Sequence, residues 1–489
     1  MGLFFLGEWT WYAAAAAGLY GLTLCLIPAA LLSRQSSASG KAAWVLAIVQ
    51  LPILGGLLYL VFAAGPEKKY AAAKRRANDE LAGLLPDRDE EDPGDCPPAL
   101  RAAWDLAGEL AGEPAAGGNA VQIEPDARAA IGAMLAAIDA AERTVCAQFY
   151  TLRDDAIGDR FVAALARAAG RGVEVRLLFD RFGSIKLFDS FLDPLKKAGG
   201  RAVPFQPRGS GVLDRLRLNL RNHRKILVVD GGRGFCGGVN VGDEYMNDVP
   251  ACAPWRDTLA EVRGPAAGRL ARVFAQDWLY MTGEQLADEK FYDAPPSPAA
   301  SGPGWAENVV LRILDDGPDR RDRAHESVFC AAVHAARKTV DVSTGYFVPT
   351  DPVDRALQCA ARRGVRVRVI HGGPGSPAAT RWAARWGYAG LLDAGVEIHE
   401  RREGVFHAKT LAVDGRLGLL GSPNCDARSF RLNFECSLLS LDPRFAGALA
   451  DQFQDDLKTT ALVDPAAYPD RPVLRKLGEA AAAVFSPVL

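Results

Sequence analysis

The chain contains no C-x-x-C pair, although nine of its 489 residues are cysteine. They are scattered at 25, 96, 146, 236, 252, 330, 359, 425 and 436, several inside apolar runs. That scatter excludes a disulfide frame and a cysteine metal cage, and implies buried free thiols in a reducing compartment. Histidine is scarce. Of six, His325, His334, His371 and His399 stand alone without metal-ligand spacing, so neither a metal nor another cofactor is called for. A basic surplus is missing too. Charged residues make up 24% and the net charge is −2, which argues against a nucleic-acid partner. Gly372-Gly373-Pro374-Gly375-Ser376-Pro377 carries neither G-K-[ST] nor G-x-G-x-x-G and reads as a turn after a strand.

Charge is absent altogether from residues 9–33 and 42–66, two runs of 25 residues. Each is long enough to cross a hydrocarbon core of about 30 Å, and neither has the polar face of a soluble helical hairpin. No basic residue precedes the first run, which is also too long for a cleaved signal peptide. The short link from Arg34 to Lys41 makes the two runs a transmembrane hairpin. Five basic residues (Lys68, Lys69, Lys74, Arg75, Arg76) follow the second run, against two in the link. This asymmetry predicts that the N-terminus and the large C-terminal part both face the cytoplasm.

What the chain does have is one motif written twice. His223, Lys225 and Asp230 form H-x-K-x-x-x-x-D, and His407, Lys409 and Asp414 repeat it. At 14, 15 and 17 residues after each histidine come Gly237, Gly238 and Asn240 in one copy, and Gly421, Ser422 and Asn424 in the other. One such motif is weak, but two with matching offsets are not chance. The apolar stretches Ile226–Val229 and Leu411–Val413 predict strands in which histidine and lysine, two apart, share a face. Glycine in the neighbouring strands would let a ligand approach the backbone. Two imidazoles, two ammoniums and two amides converging on one point suit a phosphate diester. A pair of satisfied core histidines would not need a lysine beside each.

The rest of the chain repeats as well. Residues 1–66 are the membrane anchor, and 67–116 a charged connector that includes Asp87-Arg-Asp-Glu-Glu-Asp-Pro93. From 117 strand and helix signals alternate: Val121–Ile123, a helix to Glu142, strand Thr144–Leu152, helix Ile157–Ala169, strand Val173–Asp180. Thr144-Val145 returns as Thr339-Val340, and Arg171-Gly172-Val173 as Arg363-Gly364-Val365. A Pro/Ser/Gly linker, residues 293–304, separates repeat 1 (117–292) from repeat 2 (305–489). The expectation is an α/β fold of two mixed-sheet repeats about a pseudo-two-fold axis, each giving one H-x-K strand to a shared cleft.

The duplicated motif resembles the signature of the phospholipase D superfamily. The fuller strings Arg221-Asn222-His223-Arg224-Lys225, Gly237-Gly238-Val239-Asn240-Val241-Gly242-Asp243-Glu244-Tyr245, Trp255-Arg256-Asp257-Thr258 and Gly421-Ser422-Pro423-Asn424-Cys425-Asp426-Ala427-Arg428-Ser429-Phe430-Arg431-Leu432-Asn433-Phe434-Glu435 are similar to those of bacterial cardiolipin synthases. Trp44, Pro52, Gly55, Gly56, Tyr59 and Phe62 also match that family's second span. The resemblance implies two phospholipase D-like repeats in the bacterial inner membrane, acting on phosphatidylglycerol and other anionic phospholipids. The chain departs from the family pattern at Gly345 (often proline), Leu259 (often histidine) and Arg401 (usually aromatic), which bears on the acceptor pocket.

By this resemblance the catalytic set is His223, Lys225, Asp230, His407, Lys409 and Asp414, with His223 as nucleophile through a phosphohistidine and His407 as acid and base. Lys225, Lys409, Asn240 and Asn424, assisted by Ser422, would hold the phosphoryl oxygens. A nucleophilic histidine needs its far nitrogen fixed by an acceptor, and Asp257 and Glu435 are the candidates. Asp230 and Asp414 complete the motif but read as stabilising strand-end turns. Arg215, Arg217, Arg221 and Arg224 form either a solvated basic face or a contact for anionic headgroups. The implied reaction moves a phosphatidyl group between two phosphatidylglycerols; alternatives are a membrane-bound phospholipase D or headgroup-exchange enzyme, and a membrane-tethered phosphodiesterase or nuclease.

Overall fold

The computed structural model describes residues 2–32, 38–51, 53–62, 67–84, 89–111, 113–206, 220–293, 302–320 and 322–484. The chain divides into two compact units, residues 1–70 with 207–219, and residues 71–206 with 220–489. In the first, helices run over Gly2–Leu24, Ile27–Leu31, Ala38–Gln50 and Leu54–Phe62. Among the described residues, Ala13–Leu31 is the one stretch long and apolar enough to cross a membrane, with 19 residues and a mean hydropathy of 1.8. The second expected span is instead two short helices of 13 and 9 residues. Proline at 52 lacks the amide proton a continuous helix needs, and it disfavours helical geometry in the residue before it. Tyr20 nonetheless donates to the Val49 carbonyl at 2.7 Å, and Trp44 meets Tyr59 edge-on at 5.7 Å, so this unit has its own packing.

The second unit has twenty described strands, of which sixteen join in one sheet and four form two separate two-stranded ladders. Repeat 1 contributes β1 (Ala116–Glu124), β2 (Thr144–Phe149), β3 (Glu174–Asp180), β4 (Arg201–Phe205), β5 (Arg221–Asn222), β6 (Ile226–Val229), β7 (Arg233–Gly237), β8 (Trp255–Arg256) and β9 (Leu259–Arg263). Repeat 2 contributes β10 (Trp305–Asp316), β11 (Thr339–Thr344), β12 (Phe347–Val348), β13 (Arg366–His371), β14 (Glu397–Arg401), β15 (Val405–Phe406), β16 (Thr410–Val413), β17 (Leu417–Gly421), β18 (Cys425–Asp426), β19 (Asn433–Ser440) and β20 (Thr460–Leu462). Across the sheet the order is β20-β14-β13-β11-β16-β17-β19-β10-β1-β9-β7-β6-β2-β3-β4. Outward from the antiparallel β1–β10 seam the two halves match strand for strand, β9 with β19 and β6 with β16, and repeat 2 adds β20 at its edge. This is the expected pseudo-two-fold arrangement.

Residue patterns explain the layers. Strand β2 is buried at all six positions and is covered on both faces, so it reads as a continuous apolar run. Helix Ala156–Gly170 starts where Asp155 accepts a bond from the Gly158 amide at 2.9 Å. It buries Ile157, Phe161, Leu165 and Ala168, one helical stripe, in the core of repeat 1. Helix Pro265–Thr282 is buried on nearly every side and packs against both β1 and β10. Its Phe274 and Trp278 belong to a core that also takes Phe434, Leu438 and Phe445 from repeat 2. The repeats therefore share one interior at the seam.

Candidate functional site

Both motif strands start later than the sequence suggests. The ladders of β6 and β16 begin after Lys225 and Lys409, because the backbone ahead of them is diverted to the opposite repeat. Strand β5 pairs in parallel with Asn433–Phe434 of β19, and the His223 amide donates to the Phe434 carbonyl at 2.9 Å. In the mirror arrangement β15 pairs with β8, and the His407 amide donates to the Arg256 carbonyl at 2.7 Å. In each case the residue after that carbonyl is a carboxylate. His223 Nδ1 lies 3.0 Å from both oxygens of Glu435, and His407 Nδ1 lies 2.6 Å from Asp257 Oδ2. Each imidazole is thus oriented by an acid from the other repeat, with Nδ1–H donating and Nε2 left for chemistry. The sequence supplied both acids but not this crossing.

Lys225 and Lys409 turn back on the motif, each ammonium donating to the carbonyl of the histidine two residues earlier, Lys225 at 2.6 Å. All six groups, the two histidines, two lysines, Asp257 and Glu435, are buried. Burial pushes both imidazoles down to about 4, against the pull of Glu435 and Asp257. It likewise lowers Lys225 to about 7 and Lys409 to about 8. Burial raises Glu435 and Asp257, but the facing histidines and lysines outweigh it, leaving both below the usual carboxylate range. The site at rest is two neutral imidazoles on two carboxylates, with lysines poised near neutrality.

A pH dependence follows. A lysine lowered to 7 or 8 is charged below that pH and neutral above it, so affinity for an anionic diester falls as pH rises. We expect kcat/KM for a soluble nitrophenyl phosphodiester, whose leaving group needs no proton from His407, to climb as the imidazoles lose their protons near pH 4 and to decline from about pH 7–8. A profile flat to strongly alkaline pH would contradict this role for the lysines.

Several expected groups act differently. The Ser422 hydroxyl donates to Glu435 and accepts from the Cys436 amide at 2.9 Å, so its one proton holds the carboxylate and not a phosphate. Asn433 adds a third donor to Glu435 at 3.1 Å. Both amide atoms of Asn240 are also committed, accepting from Thr151 N at 3.0 Å and donating to the Tyr245 hydroxyl at 2.6 Å. Asn424 differs: its side-chain oxygen is buried with no hydrogen-bond partner among the described residues. The glycines make room for protein, not ligand. A Cβ on Gly238 would lie 1.9 Å from Asp257 Oδ1, and one on Gly421 2.1 Å from Ser437 Oγ.

Asp230 and Asp414 lie at the far ends of β6 and β16, about 16 Å along the chain from the lysines at roughly 3.3 Å per residue. At φ 52° and 54° they make the strand-end turns. Each carboxylate caps the entry to the neighbouring strand: Asp230 accepts from the amides of Glu142, Arg143 and Thr144, and Asp414 from those of Arg337, Lys338 and Thr339, at 2.7–3.0 Å. Gly345 sits closer to the chemistry than its place outside the motif implies. A Cβ there would be 3.1 Å from His407 Cδ2 and 3.0 Å from Asn424 Oδ1.

The two described arginines of the cluster, Arg221 and Arg224, do not lie on a solvated face. Arg224 is fully buried and pairs with Asp277 at 2.6 Å, while Arg221 lies 4.0 Å over the Phe182 ring; Arg215 and Arg217 lie outside the described residues. Asp277 also receives Gln148 at 2.7 Å, Asn222 at 2.9 Å and Lys74 at 2.9 Å. Lys74, counted from sequence among the residues that set orientation, is 1% exposed. Asp277 therefore grips the residues on both sides of His223, and no spacing in the sequence announced it. The aromatic walls were also missed. Tyr150 stands edge-on to His223 at 4.9 Å and Trp255 lies 5.3 Å from His407.

A family model described as "Cardiolipin synthase, PLD-like domain" matches residues 134–278 and 329–457, one segment in each repeat, and "Phospholipase_D-nuclease N-terminal" matches residues 22–63. Cardiolipin synthase A of Pseudomonas syringae pv. syringae (strain B728a) is 34% identical over 467 residues, covering 94% of this chain and 95% of that protein. Cardiolipin synthase of Geobacillus kaustophilus (strain HTA426) is 32% identical over 455 residues, covering 91% and 88%. Among solved structures, phosphatidylserine synthase of Haemophilus influenzae Rd KW20 superposes with a TM-score of 0.58 at 14% identity, over 80% of this chain and 100% of that one, a likeness of fold.

Proposed function

This chain belongs to the cardiolipin synthases, phosphatidyltransferases of the phospholipase D type, and we propose that it joins two phosphatidylglycerol molecules into cardiolipin and glycerol. The observation that carries this reading is the crossed pair of histidine–carboxylate contacts, flanked by two buried lysines. It supplies two imidazoles in one cleft, each with a fixed tautomer, and positive charge for one phosphate.

In the first half-reaction His223 Nε2 attacks phosphorus. The bond from phosphorus to the glycerol headgroup oxygen breaks, that oxygen keeps the electron pair, and His407 Nε2–H gives it a proton. Glycerol leaves a phosphatidyl group on His223. In the second, a hydroxyl of another phosphatidylglycerol gives its proton to His407 and bonds to phosphorus. The P–N bond breaks with its electrons returning to His223. Lys225, Lys409 and Asn424 face the phosphoryl oxygens, and Asn240 and Ser422 hold the groups around them.

The two acids support this division of roles. Glu435 shares its charge among His223, Ser422 and Asn433, which leaves His223 neutral and nucleophilic. Among the described residues, Asp257 takes only the Thr258 amide besides His407, whose contact is shorter, which favours a proton on His407. Binding of an anionic diester raises that tendency further. The anchor and the basic residues after it keep this chemistry at the cytoplasmic face of the inner membrane. Purified full-length enzyme on phosphatidylglycerol vesicles is expected to release cardiolipin and free glycerol in equal amounts. Phosphatidic acid with glycerol and no cardiolipin would mean that water, not a second lipid, is the acceptor.

A further inference from the structure

The turn segment after β3, Arg181–Phe188, exposes three large apolar side chains at every third position: Phe182 at 40%, Ile185 at 69% and Phe188 at 71%. Arg181 is exposed just before the first of them, and Lys186 between the second and third. The segment is not loosely attached. Asp180 accepts from the amides of Phe182 and Gly183 at 2.9 Å each, and its other oxygen accepts from the amide of Asn222, the residue before His223. Ser184 accepts from Leu152 N at 2.9 Å and donates to the carbonyl of Tyr150, whose ring borders His223. Arg221, two residues from the nucleophile, stacks on Phe182. An apolar tip fixed by buried polar bonds beside a catalytic histidine is the opposite of a frayed loop.

We infer that Arg181–Phe188 is a membrane-docking lip of the cleft, with Ile185 and Phe188 entering the acyl region of an anionic phospholipid bilayer and Arg181 and Lys186 meeting its headgroup phosphates. Two features point to a bilayer. Within Arg181–Phe188 the charged groups among the large apolar ones are both cations, with Asp189 following at its base, a pattern that interfacial segments use on anionic surfaces. It is also continuous with a site whose substrate, under the reading above, carries its reacting phosphodiester at that same interface. The lip would hold the cleft mouth at headgroup depth. The inference rests on that reading for its lipid.

The test uses the full chain reconstituted in phosphatidylglycerol vesicles. With Phe188→p-benzoylphenylalanine, illumination is expected to attach a phospholipid covalently to residue 188. The variant Ile185→Glu with Phe188→Glu should form cardiolipin at least tenfold more slowly on vesicles. It should cleave a soluble nitrophenyl phosphodiester at the wild-type rate, and Phe188→Leu should restore the vesicle rate. Absence of a lipid adduct, or equal loss on soluble and vesicle substrates, overturns the inference. So does full vesicle activity in the double variant, as would a defect seen only in cells, which would point to a protein at this lip. If instead the wild-type chain yields no cardiolipin while the lipid adduct forms, the transfer reading fails and the lip stands.

Discussion

His407→Asn is expected to lower cardiolipin formation from phosphatidylglycerol by about 10²- to 10⁴-fold, the usual worth of a positioned general acid, while still reacting once with an activated diester. A glycerol alkoxide leaves poorly without a proton, whereas a nitrophenolate does not need one. The variant should therefore release one equivalent of nitrophenol in a burst and then stall, since no base remains to activate the incoming alcohol. His223→Asn should show neither burst nor turnover on either substrate. A burst in His223→Asn that is absent in His407→Asn would reverse the two roles.

The second large effect concerns a residue that touches no substrate. Asp277 is fully buried and binds Lys74 at 2.9 Å and Arg224 at 2.6 Å. The two cations hold its carboxylate far below the ordinary range, overcoming a burial penalty that acts the other way. Asp277→Ala would leave two cations inside the protein without their partner, a change that costs about 3–5 kcal/mol where one partner of a buried pair is removed. A clear fall in the thermal midpoint of the full-length protein is expected. Because Asn222 and Arg224 flank His223, kcat should fall too, on the order of 10²-fold for a displacement near 1 Å. Adding Lys74→Met removes one of the stranded charges and should recover part of the stability but not the rate. An unchanged midpoint in Asp277→Ala would show that this network does not support the nucleophile.

Periodicity and duplication were legible in the sequence because they are local. The strand and helix order of both repeats, the pairing of β2 with β11 and β3 with β13 as equivalents, and the His–Lys pairs all follow from runs of a few residues and their recurrence. The crossing of Glu435 to His223 and Asp257 to His407 was not, because it depends on two-residue ladders between segments some 200 residues and 150 residues apart. Such ladders leave no pattern in composition. Polar residues were the other difficulty. Ser422 and Asn240 carry donors that would suit a phosphate, and only the geometry shows the serine donor and one of the two Asn240 donors already used. Lys74 and Arg224 look like surface cations in any helix or strand until Asp277 is found between them. The described part of the second apolar run is two helices and not one, with a proline between them that hydropathy does not weigh.

The account turns on where phosphorus resides between the two half-reactions. Full-length enzyme turning over an activated phosphatidyl diester can be quenched in alkali, which preserves a phosphoramidate, and digested for mapping of the modified peptide. A phosphatidyl group is expected on the peptide containing His223, less than one per chain in the wild type and close to one per chain in His407→Asn. A modification mapped to His407, or turnover with no covalent intermediate in either protein, would contradict it.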